Sequence, residues 1–216
     1  MKILIVGANG QIGKHLVKLI QDSGEHSAKA MIRKQEQAKY FEDIGAETAV
    51  VDLEGEISDI AHAAEGVDAV VFTAGSGPHT GPDKTMMVDL DGAVKTIKAA
   101  KEANVSRFVM ISSFDTTRAA IQGASDSFAP YVVAKHYADE WLRMSGLDYT
   151  MIHPGALTNN PGSGKIDTKA HKDSREVARE NIAHVIFESL QNKSTIGKEF
   201  QVVDGSTPIK EVLQNL

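Results

Sequence analysis

Short apolar runs alternate with longer amphipathic segments along this chain. Continuous Val, Ile and Met in these runs, without polar alternation, favours strands that are covered on both faces. Helical periodicity fills the intervals between them. This alternation predicts an α/β domain, a doubly wound and mostly parallel sheet of about seven strands in a single domain over residues 1–216. The predicted strands are KILIV, AKAMI, ETAVV, DAVVF, RFVMI, DYTMI and EFQVV, and the predicted helices span 10–23, 35–44, 57–64, 84–104, 130–145 and 174–191, the last capped by Ser174.

Composition narrows the classes of partner. The net charge is -6 and Lys and Arg are not clustered, which argues against a nucleic-acid surface. The absence of cysteine excludes disulfides, thiolate catalysis and Cys-ligated zinc. No apolar run approaches the roughly 20 residues that span a bilayer, and the N-terminus has no secretory pattern. We therefore expect a cytoplasmic protein with a small-molecule substrate, no membrane and no nucleic acid.

A glycine-rich turn lies between the first predicted strand and the first predicted helix. Gly7 permits a tight turn, Gly10 permits close approach of the backbone to a pyrophosphate, and Gly13 permits close packing of helix and sheet. A helix N-terminus at this place favours an anion. The turn therefore predicts a dinucleotide site, to which Asn9, Gln11 and Ile12 also belong.

The ends of the next strands predict which dinucleotide is bound. Arg33 and Lys34 follow the second strand, where an NAD site carries an acid, and a cation there can pair with a 2′-phosphate. NADP(H) is therefore favoured over NAD(H), and two solvated surface charges are the alternative. Asp52 and Leu53 are expected to border the adenine, or else form a simple turn. After the fourth strand, the small residues Ala74, Gly75 and Ser76 are expected to contact the ribose or nicotinamide, again with a plain turn as the alternative.

A tyrosine and a lysine stand four residues apart at the start of the fifth predicted helix. Tyr131 and Lys135 lie on one helical face, and Pro130 fits the first helical turn. Such a pair arises by chance in roughly one sequence in three. A unit charge about 6 Å away at an effective dielectric of 20 favours a phenolate by roughly 2.8 kcal/mol. Ser113, rather than Ser112, is expected to hold the substrate oxygen while Tyr131 transfers a proton and Lys135 also bonds the nicotinamide ribose.

Three long loops leave the carboxyl ends of predicted strands, at 76–83, 113–129 and 155–173. In the first loop His79 could contact substrate, and Asp83 and Lys84 could pin the loop; a solvated histidine is the alternative. Trp141 and Met144 are expected to pack into the core or a subunit interface, so a homodimer is an open alternative. No metal site is expected from the remaining histidines, which lack ligand spacing, among them His15, His136, His171 and His184.

These motifs, in this order, resemble the short-chain dehydrogenase/reductase superfamily. The match is closer to its atypical single-domain NAD(P)-binding branch, which is epimerase/dehydratase-like and related to flavin and biliverdin reductases. GSGPHTGPDKT, YVVAKHYAD, SGLDYT, PGAL and IGKEFQVVDG carry this resemblance over nearly the whole chain. Members usually have arginine where this chain has His153. The resemblance implies a three-layer Rossmann fold, catalytic candidacy for Ser113, Tyr131 and Lys135, and further cofactor contacts at Pro154, Gly155, Ala156 and Leu157.

The leading functional prediction is an NADP(H)-dependent oxidoreductase for a small carbonyl, quinone-like or flavin-like substrate. One alternative is a non-catalytic NADP(H)-binding redox sensor, which would not need the Ser/Tyr/Lys set. The other is a sugar-nucleotide epimerase/dehydratase, which is disfavoured because only about 60 residues follow the sixth predicted strand.

Overall fold

The computed structural model describes residues 1–77, 79–169 and 175–216. All seven predicted strands are present within these ranges, together with four shorter ones of two or three residues. In chain order the strands are β1 (Lys2–Val6), β2 (Ser27–Ile32), β3 (Glu47–Val50), β4 (Ala69–Phe72), β5 (Arg107–Ile111), β6 (Asp148–Pro154), β7 (Ala156–Thr158), β8 (Lys165–Asp167), β9 (Glu176–Ala178), β10 (Lys198–Asp204) and β11 (Thr207–Pro208).

The helices follow the predicted alternation. They are α1 (Gln11–Asp22), α2 (Ala38–Glu42), α3 (Ile57–Ala64), α4 (Pro82–Lys84), α5 (Ala93–Glu102), α6 (Arg118–Gly123), α7 (Ala129–Arg143), α8 (Arg179–Gln191) and α9 (Ile209–Gln214). A π-helix, Thr85–Gly92, joins α4 to α5, and short 3₁₀ turns occupy Gln35–Gln37 and Lys193–Thr195. Among the described residues, no helix is long and apolar enough to cross a membrane.

The main sheet has the strand order β11-β8-β10-β6-β5-β4-β1-β2-β3. The seven strands predicted from sequence run parallel, and the short β8 and β11 add an antiparallel edge. The chain moves outward from β1 to β3 and then returns to place β4 on the other side of β1. This reversal creates a crevice at the carboxyl ends of β1 and β4, where open α/β sheets bind ligands.

Helices cover both faces of the sheet and bury its apolar side chains. On one face Leu16 and Ile20 of α1 pack with Ile186 of α8. On the other face Ile60, Ile97 and Leu142 come from α3, α5 and α7. The result is the expected three-layer Rossmann architecture, with α7 lying beneath the end of β5.

Two predicted elements differ from the structure. The predicted helix 174–191 begins later, at Arg179, because Glu176–Ala178 pairs in parallel with β7 as a separate two-stranded sheet. Ser174, its predicted cap, and His171 lie outside the described residues. The predicted helix 84–104 begins two residues earlier, at Pro82, and its first part is the π-helix.

Candidate active site

The glycine turn brings β1, α1 and the chain after β4 into close contact. Gly7 has a φ of 85°, and a Cβ there would lie 2.6 Å from the backbone N of Ala74. A Cβ on Gly13 would lie 2.6 Å from the carbonyl oxygens of Gly7 and Ala8. Gly10 precedes α1 without a side-chain cap, so amides of the first helical turn stay available to an anion. The turn therefore has the close backbone packing that a pyrophosphate cradle requires.

A cleft of about 360 Å³ opens beside this turn. It collects predicted residues from the loops after β1, β2, β3 and β4. It also includes residues that the sequence analysis did not single out, notably Gln37, Glu54 and Val88. The predicted cofactor residues in its lining are Gly7, Asn9, Gly10, Arg33, Asp52, Leu53, Gly75 and Ser76.

Gln37 shapes the loop that carries the predicted phosphate-binding cations. Its side-chain carbonyl accepts hydrogen bonds from the amides of Arg33 (3.0 Å) and Lys34 (3.2 Å). Both cationic side chains remain exposed. Arg33 lines the cleft, whereas Lys34 is not part of its lining. The structure therefore assigns the cleft-facing position to Arg33 rather than to both cations.

Two residues of the cleft lining form an ion pair. The Lys84 ammonium lies 2.7 Å from both carboxylate oxygens of Glu54, which follows β3. Lys84 therefore ties the loop after β4 to the predicted adenine side. Lys84 was predicted to pin this loop, but its partner thirty residues away, Glu54, is not apparent from local sequence.

The tyrosine and lysine of α7 face the end of β5. The Lys135 ammonium is 5.8 Å from the centre of the Tyr131 ring and 3.4 Å from the carbonyl oxygen of Ile111. It also lies 3.4 Å from a carboxylate oxygen of Asp89, a buried residue that the sequence analysis missed. Burial opposes the charge on Lys135, but Tyr131, Asp89 and Asp139 outweigh it, so the pKa of Lys135 is raised.

The two serines at the end of β5 have different surroundings. Ser112 is buried and donates a hydrogen bond to Asp139 (2.9 Å), which also accepts one from Thr116 (2.7 Å). Burial raises the pKa of Asp139 against the opposing effects of His153, these two hydroxyls and Lys135. Ser113 is only partly buried, and its hydroxyl makes no hydrogen bond to another described residue. Of the two hydroxyls, only that of Ser113 is therefore free to bond a substrate, and its role as the substrate-facing group stays a prediction.

His153 supports Ser113 from the neighbouring strand. Its Nδ1 lies 2.7 Å from the carbonyl oxygen of Ser113 and therefore carries the proton that it donates there. Its Nε2 lies 3.6 Å from Glu199, whose carboxylate accepts hydrogen bonds from Nε (3.2 Å) and Nη2 (2.6 Å) of Arg143. Hydrogen bonding to Arg143 holds the pKa of Glu199 below its usual range.

The remaining predicted residues lie outside the cleft lining. Gly155 packs against the carbonyl of Arg175, and its amide donates to Val202 (2.9 Å). The Ala156 amide donates to Arg175 (2.7 Å), so both amides are already used within the fold. Trp141 and Met144 were predicted to pack into the core or a subunit interface. Their exposed fractions are 43% and 72%, so they do not lie in the core, and the interface stays a prediction. Also outside the lining are Gln11, Ile12, Gly13, Lys34, Ala74, His79, Ser113, Tyr131, Lys135, Pro154 and Leu157.

The parallel sheet, with a glycine turn at its reversal point, defines a Rossmann protein of the dinucleotide-binding class. The chain belongs to the NAD(P)H-binding family, whose sequence profile matches residues 7–193. It is 46% identical to the "Uncharacterized sugar epimerase YhfK" of Bacillus subtilis, with both chains covered completely.

Two solved structures are also similar to the whole chain. A Bacillus halodurans protein, provisionally named an NAD-dependent epimerase/dehydratase, superposes with a TM-score of 0.92 at 40% identity, with 100% of each chain covered. The oxidoreductase ylbE from Lactococcus lactis superposes with a TM-score of 0.88 at 33% identity, with 100% of this chain and 96% of that chain covered. The comparisons therefore place the chain in an NAD(P)H-binding family that has epimerase-like and oxidoreductase members.

Proposed function

We propose that this protein is an NADP(H)-dependent oxidoreductase of the short-chain dehydrogenase/reductase type. Its substrate would be a small carbonyl, quinone-like or flavin-like molecule. Bound cofactor supplies or accepts the hydride, and Tyr131 gives or takes the proton at the substrate oxygen. Ser113 would hold this oxygen, and Lys135 would stabilise the phenolate that remains after proton donation.

One observation carries the proposal. Lys135 is buried, yet its ammonium lies 5.8 Å from the Tyr131 ring, beside the strand end that leads to Ser113. A buried lysine without a function would be costly, because taking an ammonium out of water is unfavourable. Groups whose pKa values are shifted by burial and a specific charge partner cluster at functional sites.

The cofactor part of the proposal is supported by the cleft. Arg33 lines its side wall without a salt bridge to any described residue, and a guanidinium there can bind a 2′-phosphate through two parallel hydrogen bonds. Asp52 and Leu53 line the same cleft on the predicted adenine side. This arrangement favours NADP(H) over NAD(H).

The names of two relatives favour a second candidate, epimerisation or dehydration of a sugar nucleotide. In this chain the residues after β6 build β7 to β11, α8 and α9, and several of these elements complete the main sheet. The described residues of that region therefore offer little structure beyond the sheet for a nucleotide sugar.

A redox sensor is the third candidate, and the Ser113, Tyr131 and Lys135 set argues against it.

The test is NADPH oxidation against a panel of carbonyls, quinones and flavins. Tyr131→Phe is expected to bind NADPH normally but to lose roughly 100-fold or more in turnover. Tyr137→Phe is the matched control, because this exposed tyrosine lies on the same helix and its hydroxyl contacts Arg118. NADPH binding without any turnover, or full activity in Tyr131→Phe, would contradict the proposal. An epimerase would instead convert its substrate without net cofactor oxidation.

A homodimer is part of the same proposal. Tyr137, Trp141 and Met144 project from one side of α7 and the residue that follows it, and their exposed fractions are 40%, 43% and 72%. Clustered exposed apolar side chains are typical of contact surfaces. This surface, the α7 apolar face, would pack against a second copy of the chain.

A further inference from the structure

The π-helix directs one carboxylate into the protein. Asp89 is 1% exposed, whereas the nearby Met86 and Met87 are 43% and 39% exposed. Asp91, two residues further, stays accessible and pairs with Lys95 at 3.0 Å. π-helical segments are rare and frequently occur at functional sites. The irregular winding therefore gives two acids of one short segment different environments.

Asp89 contacts two separate parts of the candidate active site. One carboxylate oxygen lies 3.4 Å from the Lys135 ammonium, and the other accepts a hydrogen bond from the Ser76 amide at 3.0 Å. A Cβ on Gly75 would lie 3.1 Å from the first oxygen, so the loop backbone packs closely on this carboxylate. Asp89 thus connects α7 with the loop that borders the cofactor cleft.

Lys135 needs such a partner because its surroundings are largely apolar. The side chain is 6% exposed, and the rings of Phe72 and Tyr131 lie 5.9 and 5.8 Å from its ammonium. The ionisable groups that face it are Asp89 from the π-helix and Tyr131 and Asp139 from α7, with His153 of β6 acting on Asp139. Among the described residues, Asp89 provides the carboxylate within ion-pair distance. An opposite charge this close strongly favours the charged form of a buried amine.

We propose that Asp89 is a positioning residue that keeps the Lys135 ammonium charged and fixed beside Tyr131, and links it to the Ser76 loop. The consequence for turnover rests on the proposed function, because Lys135 assists catalysis only if Tyr131 transfers a proton. The consequence for the charge of Lys135 does not depend on any substrate. Asp89 acts through Lys135 and Ser76, which its two carboxylate oxygens contact.

The test is Asp89→Asn, which keeps the shape of the side chain and an acceptor for the Ser76 amide. Lysine side-chain NMR follows the titration, and the Lys135 signal is identified by its loss in Lys135→Arg. We expect Lys135 to lose its proton at a pH lower by about one unit or more than in the wild type. With an active substrate, kcat should fall roughly tenfold with little change in KM. Asp91→Asn is the matched control and should leave the Lys135 titration unchanged.

The outcomes separate this proposal from the proposed function. An unchanged Lys135 titration in folded Asp89→Asn would overturn the role of Asp89, whatever the substrate. Wild-type protein that turns over no substrate would count against the oxidoreductase, while Lys135 could still respond to Asp89. If Asp89→Asn does not fold, adding Lys135→Met should restore folding by removing the unpaired ammonium. Failure of this rescue would also overturn the proposal.

Discussion

Arg33 lines the cleft proposed to bind the cofactor but makes no ion pair with another described residue. Arg33→Ala should weaken NADPH binding by roughly tenfold or more, because a charge-assisted hydrogen bond contributes about 1.5–3 kcal/mol. NADH affinity should change little, since NADH has no 2′-phosphate. Fluorescence titration with both cofactors measures the two dissociation constants.

Lys39→Ala is the control for Arg33, because it removes another exposed cation, one that pairs with Asp43 and does not line the cleft. It should leave both affinities unchanged. An equal loss of NADPH and NADH affinity in Arg33→Ala would show that Arg33 supports the loop and does not select the phosphate.

His153 holds the backbone of Ser113 through its Nδ1 at 2.7 Å. His153→Leu should lower turnover about tenfold and destabilise the fold by about 1 kcal/mol, because the Ser113 carbonyl loses its donor. His153→Asn offers an amide N–H near the Nδ1 position and should recover most of the activity. Steady-state rates and thermal unfolding of the two variants test this role, which fails if Leu and Asn behave alike.

The sequence predicted the residue types at the strand ends but not the direction of each side chain. Ser112 and Ser113 are adjacent and identical, yet one is bonded to Asp139 and the other is partly exposed. In the sequence nothing distinguishes Asp89 from Asp91, whereas in the structure the π-helix places Asp89 against Lys135. Such choices depend on which neighbouring elements approach the chain, and local spacing does not contain that information.

Tyr131, Lys135 and Asp139 follow one another at four-residue intervals on helix α7 and so lie on one face of it. The burial of Asp139 predicts that the stability of the protein depends on pH. Burial raises the pKa of Asp139 above its ordinary value of 3.8, so the folded protein retains this proton to higher pH than the unfolded chain. The stabilisation that comes from this retained proton is fully present below about pH 4 and is lost as the pH rises through the pKa of Asp139 in the folded protein.

Asp139→Asn has no such titration, and its amide oxygen can still accept from Ser112 and Thr116. The melting temperature of Asp139→Asn minus that of the wild type should therefore increase between acidic and neutral pH. The increase should be about 2–4 °C for each kcal/mol by which the free energy of unfolding of the wild type falls. Paired thermal unfolding curves at a series of pH values measure this difference. If the two melting temperatures differ by the same amount at every pH, the charge on Asp139 does not destabilise the folded protein.

Long elements were predicted well and short ones were not. The seven strands of four or more residues have apolar runs that stand out in the sequence. In contrast, β7, β8, β9 and β11 have two or three residues each, too few for any period, and depend on pairing with distant partners. The π-helix was predicted as ordinary helix, because apolar spacing over one or two turns does not distinguish the two windings.

The α7 apolar face is partly exposed in the folded chain, with Lys98 and Arg118 beside the rings of Trp141 and Tyr137, and we predict that it forms a homodimer contact. Trp141→Glu should convert the dimer to a monomer, because a buried charge at a contact surface is unfavourable. Light scattering coupled to gel filtration measures the mass. Tyr40→Glu is the matched control, since Tyr40 has the same 43% exposure but lies on α2. A wild-type monomer, or a dimer that survives Trp141→Glu, would contradict this surface.

We propose that a bound NADP(H) spans the crevice from Arg33 to Tyr131. A crystal structure with bound NADP⁺ tests it most directly. We predict the 2′-phosphate beside Arg33, the pyrophosphate at the Gly7 to Gly13 turn, and the nicotinamide ring beside Tyr131, with its ribose within hydrogen-bond distance of Lys135. A nicotinamide ring that is directed away from Tyr131 and Ser113 would rule out this proposed binding mode.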